Sequence, residues 1–271
     1  MPCFVMLFGI CCLAGCEGSR HRLKKVRLNE VAHSIFYAPQ YVAIEKGYFE
    51  KEGIKLELTT GFGADKTATA VISGDADIAF MGPEATIYQF NQGNADYLIN
   101  FAQLTQRAGN FVVSREKEDS FKWEDLKGKK VIGGRPGGMP EMVFEYVLKK
   151  HGMNPQKDIN LVQNIDFANT SGAFVSGEAD YTVEFEPAAT LIEEQGAGYV
   201  VASVGKESGY VPYTAYSVKK SYLETHKELL EAFTRAIEKG QEYANTHTPE
   251  QIAKVIAPHL KTQIEKHSKK S

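Results

Sequence analysis

One stretch of 27 residues occurs twice in this chain. Thr67 to Gly93, TATAVISGDADIAFMGPEATIYQFNQG, lies without a gap on Thr170 to Gly196, TSGAFVSGEADYTVEFEPAATLIEEQG, after a shift of 103 positions, and nine positions match. Ordinary composition would give roughly two. Each copy predicts the same unit: a helix closed at Ser-Gly (Gly74, Gly177), a short apolar strand (Ile78 to Met81; Tyr181 to Val183), and a proline (Pro83; Pro187) opening the next helix. Glycine suits the residue just past a helix end, and proline suits a first turn, where its missing N–H costs nothing. Two such units predict two lobes of similar α/β build. Open α/β sheets bind ligands at the carboxyl ends of their strands, where the GPE and FEP turns fall.

The remaining pattern fits that frame. Val26 to Val31, Ile54 to Leu58, Ala95 to Leu104, Phe111 to Ser114, Val131-Ile132, Ile159 to Val162, Tyr199 to Val204 and Tyr213 to Val218 read as strands. Tyr41 to Glu52, Met139 to His151 and Glu224 to Asn245 carry apolar residues at helical spacing. Polar Thr105 to Asn110 and glycine-bearing Lys206 to Pro212 are the expected crossings between lobes, giving lobe 1 over 26–106, lobe 2 over 107–212 and a return to lobe 1 over 213–271. Strands alternating with helices predict largely parallel sheets. The closing KTQIEKHSKKS loses apolar content and is expected to fray.

Composition narrows the function. With 271 residues, 43% of them hydrophobic, the chain can bury two modest cores. A net charge of −3 offers no basic surface for nucleic acid. All four cysteines (Cys3, Cys11, Cys12, Cys16) fall in the first sixteen residues, so the rest of the chain has no disulfide, thiolate or cysteine-metal chemistry. Residues 2–15 form an uncharged apolar run suited to a signal-peptide core. It ends in Leu13-Ala14-Gly15-Cys16, which resembles a bacterial lipobox. That resemblance implies a signal peptide over 1–15, lipidation at Cys16, a polar tether over 16–25 and anchoring at the outer face of the cell membrane. No basic residue precedes the run, so the signal is expected to begin further upstream.

In order along the chain, the lipobox, FYAPQYVAIEKGYFEKEGIKLEL, SGDADIAFMGPEA, LKGKKVIGGRPGGMPEM and GEADYTVEFEPAA resemble a solute-binding protein of an ABC importer. The branch resembled includes binders of thiamine-pyrimidine precursors, alkanesulfonates, taurine and nitrate. The resemblance implies a two-lobe type II periplasmic-binding fold that closes on its ligand by hinge motion. It implies delivery of a small solute to permease subunits served by a separate ATPase, without a cofactor or a reaction of its own. It also implies further helices after His259, where this chain runs into a lysine-rich tail. An enzyme related to the eukaryotic thiamine-pyrimidine synthase is the other reading, and the absence of cysteine after Cys16 weighs against it.

Candidate ligand residues follow from residue type and place. The resemblance sets Phe36 and Tyr37 against the ligand, and rings bury flat area at little entropic cost, although the pair would also suit a core. Phe62 and Asp65 lie in a glycine turn before a helix, where Asp65 serves equally as a cap. Gly82 and Glu84 flank Pro83, and a carboxylate in a first helical turn is favoured by the helix dipole in any case. Gln103 and Thr105 stand at the first crossing. Arg135, Gly137, Gly138 and Met139 belong to the densest glycine cluster, whose backbone N–H groups could meet an acceptor atom or merely turn the chain. Glu184 and Glu186 flank Phe185, so in extended backbone the two acids should point one way and Phe185 the other. Acids, aromatics and one arginine suit a flat nitrogen-bearing heterocycle, such as a thiamine-pyrimidine precursor, better than a sulfonate, taurine or nitrate.

Overall fold

The computed structural model describes residues 22–268. The signal segment and Cys16 lie outside the described residues.

Among the described residues ten strands form two five-stranded sheets. The first holds β1 (Lys24–Glu30), β2 (Ile54–Thr60), β3 (Ile78–Met81), β4 (Leu98–Thr105) and β10 (Thr214–Lys219), in the order β2-β1-β3-β10-β4. The second holds β5 (Asn110–Ser114), β6 (Lys130–Ile132), β7 (Asn160–Val162), β8 (Tyr181–Phe185) and β9 (Tyr199–Ser203), in the order β7-β6-β8-β5-β9. Within each sheet one strand runs against its neighbours: β10 is antiparallel to β3 and β4, and β5 to β8 and β9. These are the strands that follow the two crossings, so the expected largely parallel sheets are each interrupted where the chain changes lobe.

The helices in chain order are α1 (Ala38–Glu45), α2 (Tyr48–Lys51), α3 (Ala64–Ser73), α4 (Glu84–Asn91), α5 (Met139–Lys150), α6 (Pro155–Asp158), α7 (Thr170–Val175), α8 (Ala188–Glu194), α9 (Val204–Ser208), α10 (Lys220–Thr225), α11 (Lys227–Thr246) and α12 (Pro249–Ser268). The single helix expected over Tyr41 to Glu52 is two, because Gly47 takes a left-handed conformation at φ 65° between them. The helix expected from Glu224 breaks at His226, and the polar return crossing contains the short α9. The tail expected to fray continues α12 to Ser268.

The duplication is visible as structure. Gly74 and Gly177 both adopt left-handed φ, 85° and 97°, after α3 and α7. The matched aspartates do the same job in each lobe. Asp77 Oδ2 accepts the backbone N–H of Arg27 on β1, and Asp180 Oδ2 accepts that of Lys130 on β6, each at 2.8 Å. Their own N–H groups return bonds to the carbonyls of the same two residues, each at 2.9 Å.

Core packing fixes the lobes around these units. Val26, Leu28, Ile78, Phe80 and Tyr216 of the first sheet pack with Phe49 and Phe233 from α2 and α11. Val112, Val131, Tyr181 and Val183 of the second pack with Phe144, Val147 and Leu148 from α5. Burying such side chains stabilises by about 1.5–3 kcal/mol each, so the strand ends have rigid supports.

Candidate functional site

Where the lobes meet, the ends of β3, β5 and β8 converge with the segments on either side of the crossings. Ile35–Tyr37 forms a single 3-10 turn capped by the Ser34 side chain, and it holds the Phe36 ring 5.7 Å from that of Phe185 in the other lobe. Phe36 also lies edge-on to Tyr213 at 5.7 Å and 5.5 Å from Tyr37. Phe185 in turn meets Phe167 at 5.5 Å and Tyr213 at 6.3 Å. Gly109 makes this packing possible, since any side chain there would collide with the Phe36 ring. The cluster thus joins Phe36, Tyr37 and Phe185, and adds Tyr213, which the sequence reading placed only in a strand.

Glu84 sits beside it. It is the first residue of α4 and only 4% exposed, and its Oε1 accepts the backbone N–H of Met139 at 3.0 Å. Met139 is the first residue of α5 in lobe 2, so a carboxylate of one lobe caps a helix of the other. Burial raises the Glu84 pKa, and the N–H groups of Glu84 itself and of Met139 partly offset the rise. Oε2 has no hydrogen-bond partner among the described residues. A side chain at Gly82 would strike this carboxylate and displace it. One turn along α4, the Tyr88 hydroxyl donates to Gly137 O at 2.8 Å, a second bond between lobes.

The glycine turn has no N–H left to offer through these residues. Gly137 N donates to Glu141 Oε2 at 3.1 Å, Gly138 N to Arg135 O at 3.2 Å, and Met139 N to Glu84. Of the two roles open to the cluster, donor nest or plain turn, these three N–H groups serve the chain's own carboxylates and carbonyl. Glu141 is also held by Gln163 Nε2 at 2.8 Å, and burial beside Glu145 pushes its pKa up to about 7.

The paired acids also diverge from expectation. Glu184 is buried in lobe 2, accepting the Thr182 hydroxyl at 2.7 Å and the Thr170 hydroxyl at 3.1 Å, and burial pushes its pKa up to about 7. Glu186 instead turns to its own helix, where it accepts the Thr190 N–H at 3.1 Å and hydroxyl at 3.0 Å. The backbone turns at Pro187 immediately after β8, so strand alternation does not carry on to Glu186.

The remaining candidates lie at the rim and at the first crossing. Phe62 is 64% exposed, and Asp65 faces Arg135 across the lobes at 3.7 Å in a largely solvated ion pair worth at most about 1 kcal/mol. Gln103 is exposed and bonds Thr105 O at 3.1 Å. Thr105 shares a hydrogen bond with the Thr214 hydroxyl, and its carbonyl receives Tyr213 N–H at 3.0 Å, so it positions Tyr213 at the return crossing. Arg107 stacks on Tyr210 at 4.1 Å.

A polar cavity of about 270 Å³, lined by Glu145, Gln156, Asn160 and Gln163, lies at β7, the edge strand of the second sheet. It contains no residue of the first lobe. Among the described residues no cluster of three or more metal-ligating side chains occurs, and no helix is long and apolar enough to cross a membrane.

Comparison with known proteins agrees with this architecture. A family model described as "NMT1/THI5 like" matches residues 35–252. YtlA of Bacillus subtilis (strain 168), whose name calls it a binding protein, is 46% identical over 98% of this chain and 82% of its own length. The periplasmic aliphatic sulphonate-binding protein SsuA of Escherichia coli superposes with a TM-score of 0.71 at 17% identity, over 88% of this chain and 79% of that one. The periplasmic nitrate-binding protein NrtA of Synechocystis PCC 6803 gives 0.67 at 18% identity, over 87% and 66%. At such identities the structures share the fold, a two-lobe periplasmic-binding architecture.

Proposed function

Because the chain belongs to the NMT1/THI5-like family, we propose that it is the extracytoplasmic solute-binding protein of an ABC importer, taking a small, flat, N–H-bearing heterocycle between its lobes. One observation carries this reading. A polar group buried beside the interlobe aromatics is a carboxylate, Glu84, with an oxygen left over, while the Gly137, Gly138 and Met139 N–H groups of the nearby glycine turn are already bonded.

A free carboxylate oxygen accepts hydrogen bonds and repels anions. A sulfonate or nitrate would have to sit against that carboxylate, where the Gly137, Gly138 and Met139 N–H groups are already bonded within the chain. An aminopyrimidine of the thiamine-precursor type supplies what the site lacks: N–H donors toward Glu84 and a planar face for Phe36 and Phe185. Micromolar capture requires about 8 kcal/mol net, within reach of one buried ring and a few hydrogen bonds after the costs of closure. The lobes then act as a clamp about the crossings at 105–110 and 206–212. Lipidation at Cys16 would hold the protein at the outer membrane face beside its permease. No chemical step is assigned to the site.

Thermal-shift screening of the protein against aminopyrimidines, other vitamins, sulfonates, nitrate and amino acids tests the reading. A true ligand at a hundredfold its Kd adds about 2.7 kcal/mol of stability. Glu84→Gln and Phe36→Ala should abolish most of that shift. A shift from sulfonates but not from N–H-bearing rings would refute the proposed ligand class.

A further inference from the structure

Two side chains at the crossings are buried with hydrogen-bonding capacity that nothing in the described residues uses. Asn110 is the first residue of β5, immediately after the first crossing, and is 0% exposed. Neither its amide nitrogen nor its amide oxygen has a partner. Tyr213 immediately precedes β10, after the return crossing, is 1% exposed, and has an unpartnered hydroxyl. Burial pushes this phenol well above its ordinary range, so it stays protonated and can donate.

Their positions are linked. Asn110 stands directly opposite Phe185 in the β5–β8 ladder, so the two side chains share a face of the sheet. Tyr213 packs against both Phe185 and Phe36. The topology also relates the two residues, since Asn110 opens, and Tyr213 immediately precedes, the one antiparallel strand of its lobe. Buried polar groups are nearly always satisfied, and those left over in a native structure call for a functional explanation.

We infer that Asn110 and Tyr213 are specificity-determining residues, reading a ligand edge on which a hydrogen-bond donor and an acceptor stand side by side, as in a cyclic amide or an amino-substituted ring nitrogen. The Asn110 amide offers the complementary pair, oxygen beside N–H. The Tyr213 hydroxyl takes one further polar atom, and Glu84 takes an N–H. This rests on the proposed binding of an N–H-bearing ring between the lobes, and it adds which edge of the ring is recognised. A site built to hydrogen-bond such an edge discriminates strongly against analogues that lack it, because its own groups are then left unpaired.

Asn110→Leu and Tyr213→Phe test the inference, with cytosine, adenine and the hydroxymethyl-aminopyrimidine of thiamine as probes, and benzyl alcohol as a ring without the edge. At least one edge-bearing probe should raise the melting temperature of the unaltered protein, and benzyl alcohol should not. For that probe, Tyr213→Phe should weaken binding about tenfold and Asn110→Leu about a hundredfold by calorimetric titration. Without ligand, both variants should melt no lower than the unaltered protein, since apolar replacement of an unpaired buried group costs little. A loss of ligand-free stability in both would make these residues structural and overturn the inference. Unchanged affinity in both, with Glu84→Gln and Phe36→Ala still impaired, would overturn it while leaving the proposed function standing. Unchanged affinity in all four would remove the site itself, and no shift from any edge-bearing probe would overturn both.

Discussion

Replacing Glu184 by glutamine should make the protein more stable, and more so as pH rises. Glu184 is nearly inaccessible, and burial moves its carboxyl from 4.5 to about 7. The folded protein therefore holds this proton where the unfolded chain releases it. Stability is fully present below pH 4.5 and is lost as pH rises through about 7. At about 1.36 kcal/mol per pH unit the loss is on the order of 3 kcal/mol. Glutamine keeps the packing. Its carbonyl still accepts the Thr182 hydroxyl, and its amide can donate to Thr170, whose hydroxyl has a second acceptor in Phe167 O at 3.1 Å. Scanning calorimetry from pH 5 to 8 reads the difference. The two proteins should melt within a few degrees of each other at pH 5 and separate by roughly 6–12 °C at pH 8, taking about 2–4 °C per kcal/mol for a chain of this size. Glu84 and Glu141, also raised, steepen both curves alike, so the separation isolates Glu184. Parallel curves, or a variant that melts lower at pH 8, would show that the carboxylate is solvated or paired and would refute the reasoning.

Other substitutions probe separate parts of the account. Gly205→Ala should cost more than Gly109→Ala, because the new methyl strikes the Ala108 backbone carbonyl in the first and only the Phe36 ring in the second. Overpacking of this kind costs about 1–3 kcal/mol, readable by urea unfolding. Gly109→Ala should nevertheless lower ligand affinity by displacing Phe36. Asp77→Ala and Asp180→Ala each remove the acceptor of a strand N–H and should each cost about 1–3 kcal/mol, with Asp77 the larger because it also pairs with the Arg27 guanidinium at 2.6 Å. Cys16→Ala should release the protein from cells into the medium and abolish its labelling by radioactive palmitate, whereas retention at the membrane would count against the anchor.

The duplicated stretch was legible because it obeys local rules. Its glycines need left-handed backbone and its aspartates cap a neighbouring strand, so the two copies keep those residues and reveal two lobes. Phe36 and Tyr37 were paired on a family resemblance, whereas the approach of Phe36 to Phe185 in the other lobe had no local signal. Groups whose environment is made by distant chain were not legible. Asn110 and Tyr213 look like ordinary strand residues, and only the apposition of the two crossings buries them together. The glycine turn looked free to bind a ligand because sequence cannot show that Glu84, 55 residues earlier, takes the Met139 N–H. The antiparallel strands were hidden too, since direction depends on where each crossing delivers the chain.

A crystal structure of the protein with the compound that gives the largest thermal shift measures the central idea most directly. That compound should lie against the Phe36 and Phe185 rings, with an N–H on Glu84 and its edge on Asn110. Density at the Glu145–Gln156 cavity of lobe 2, or an anion held by Arg135, would contradict it.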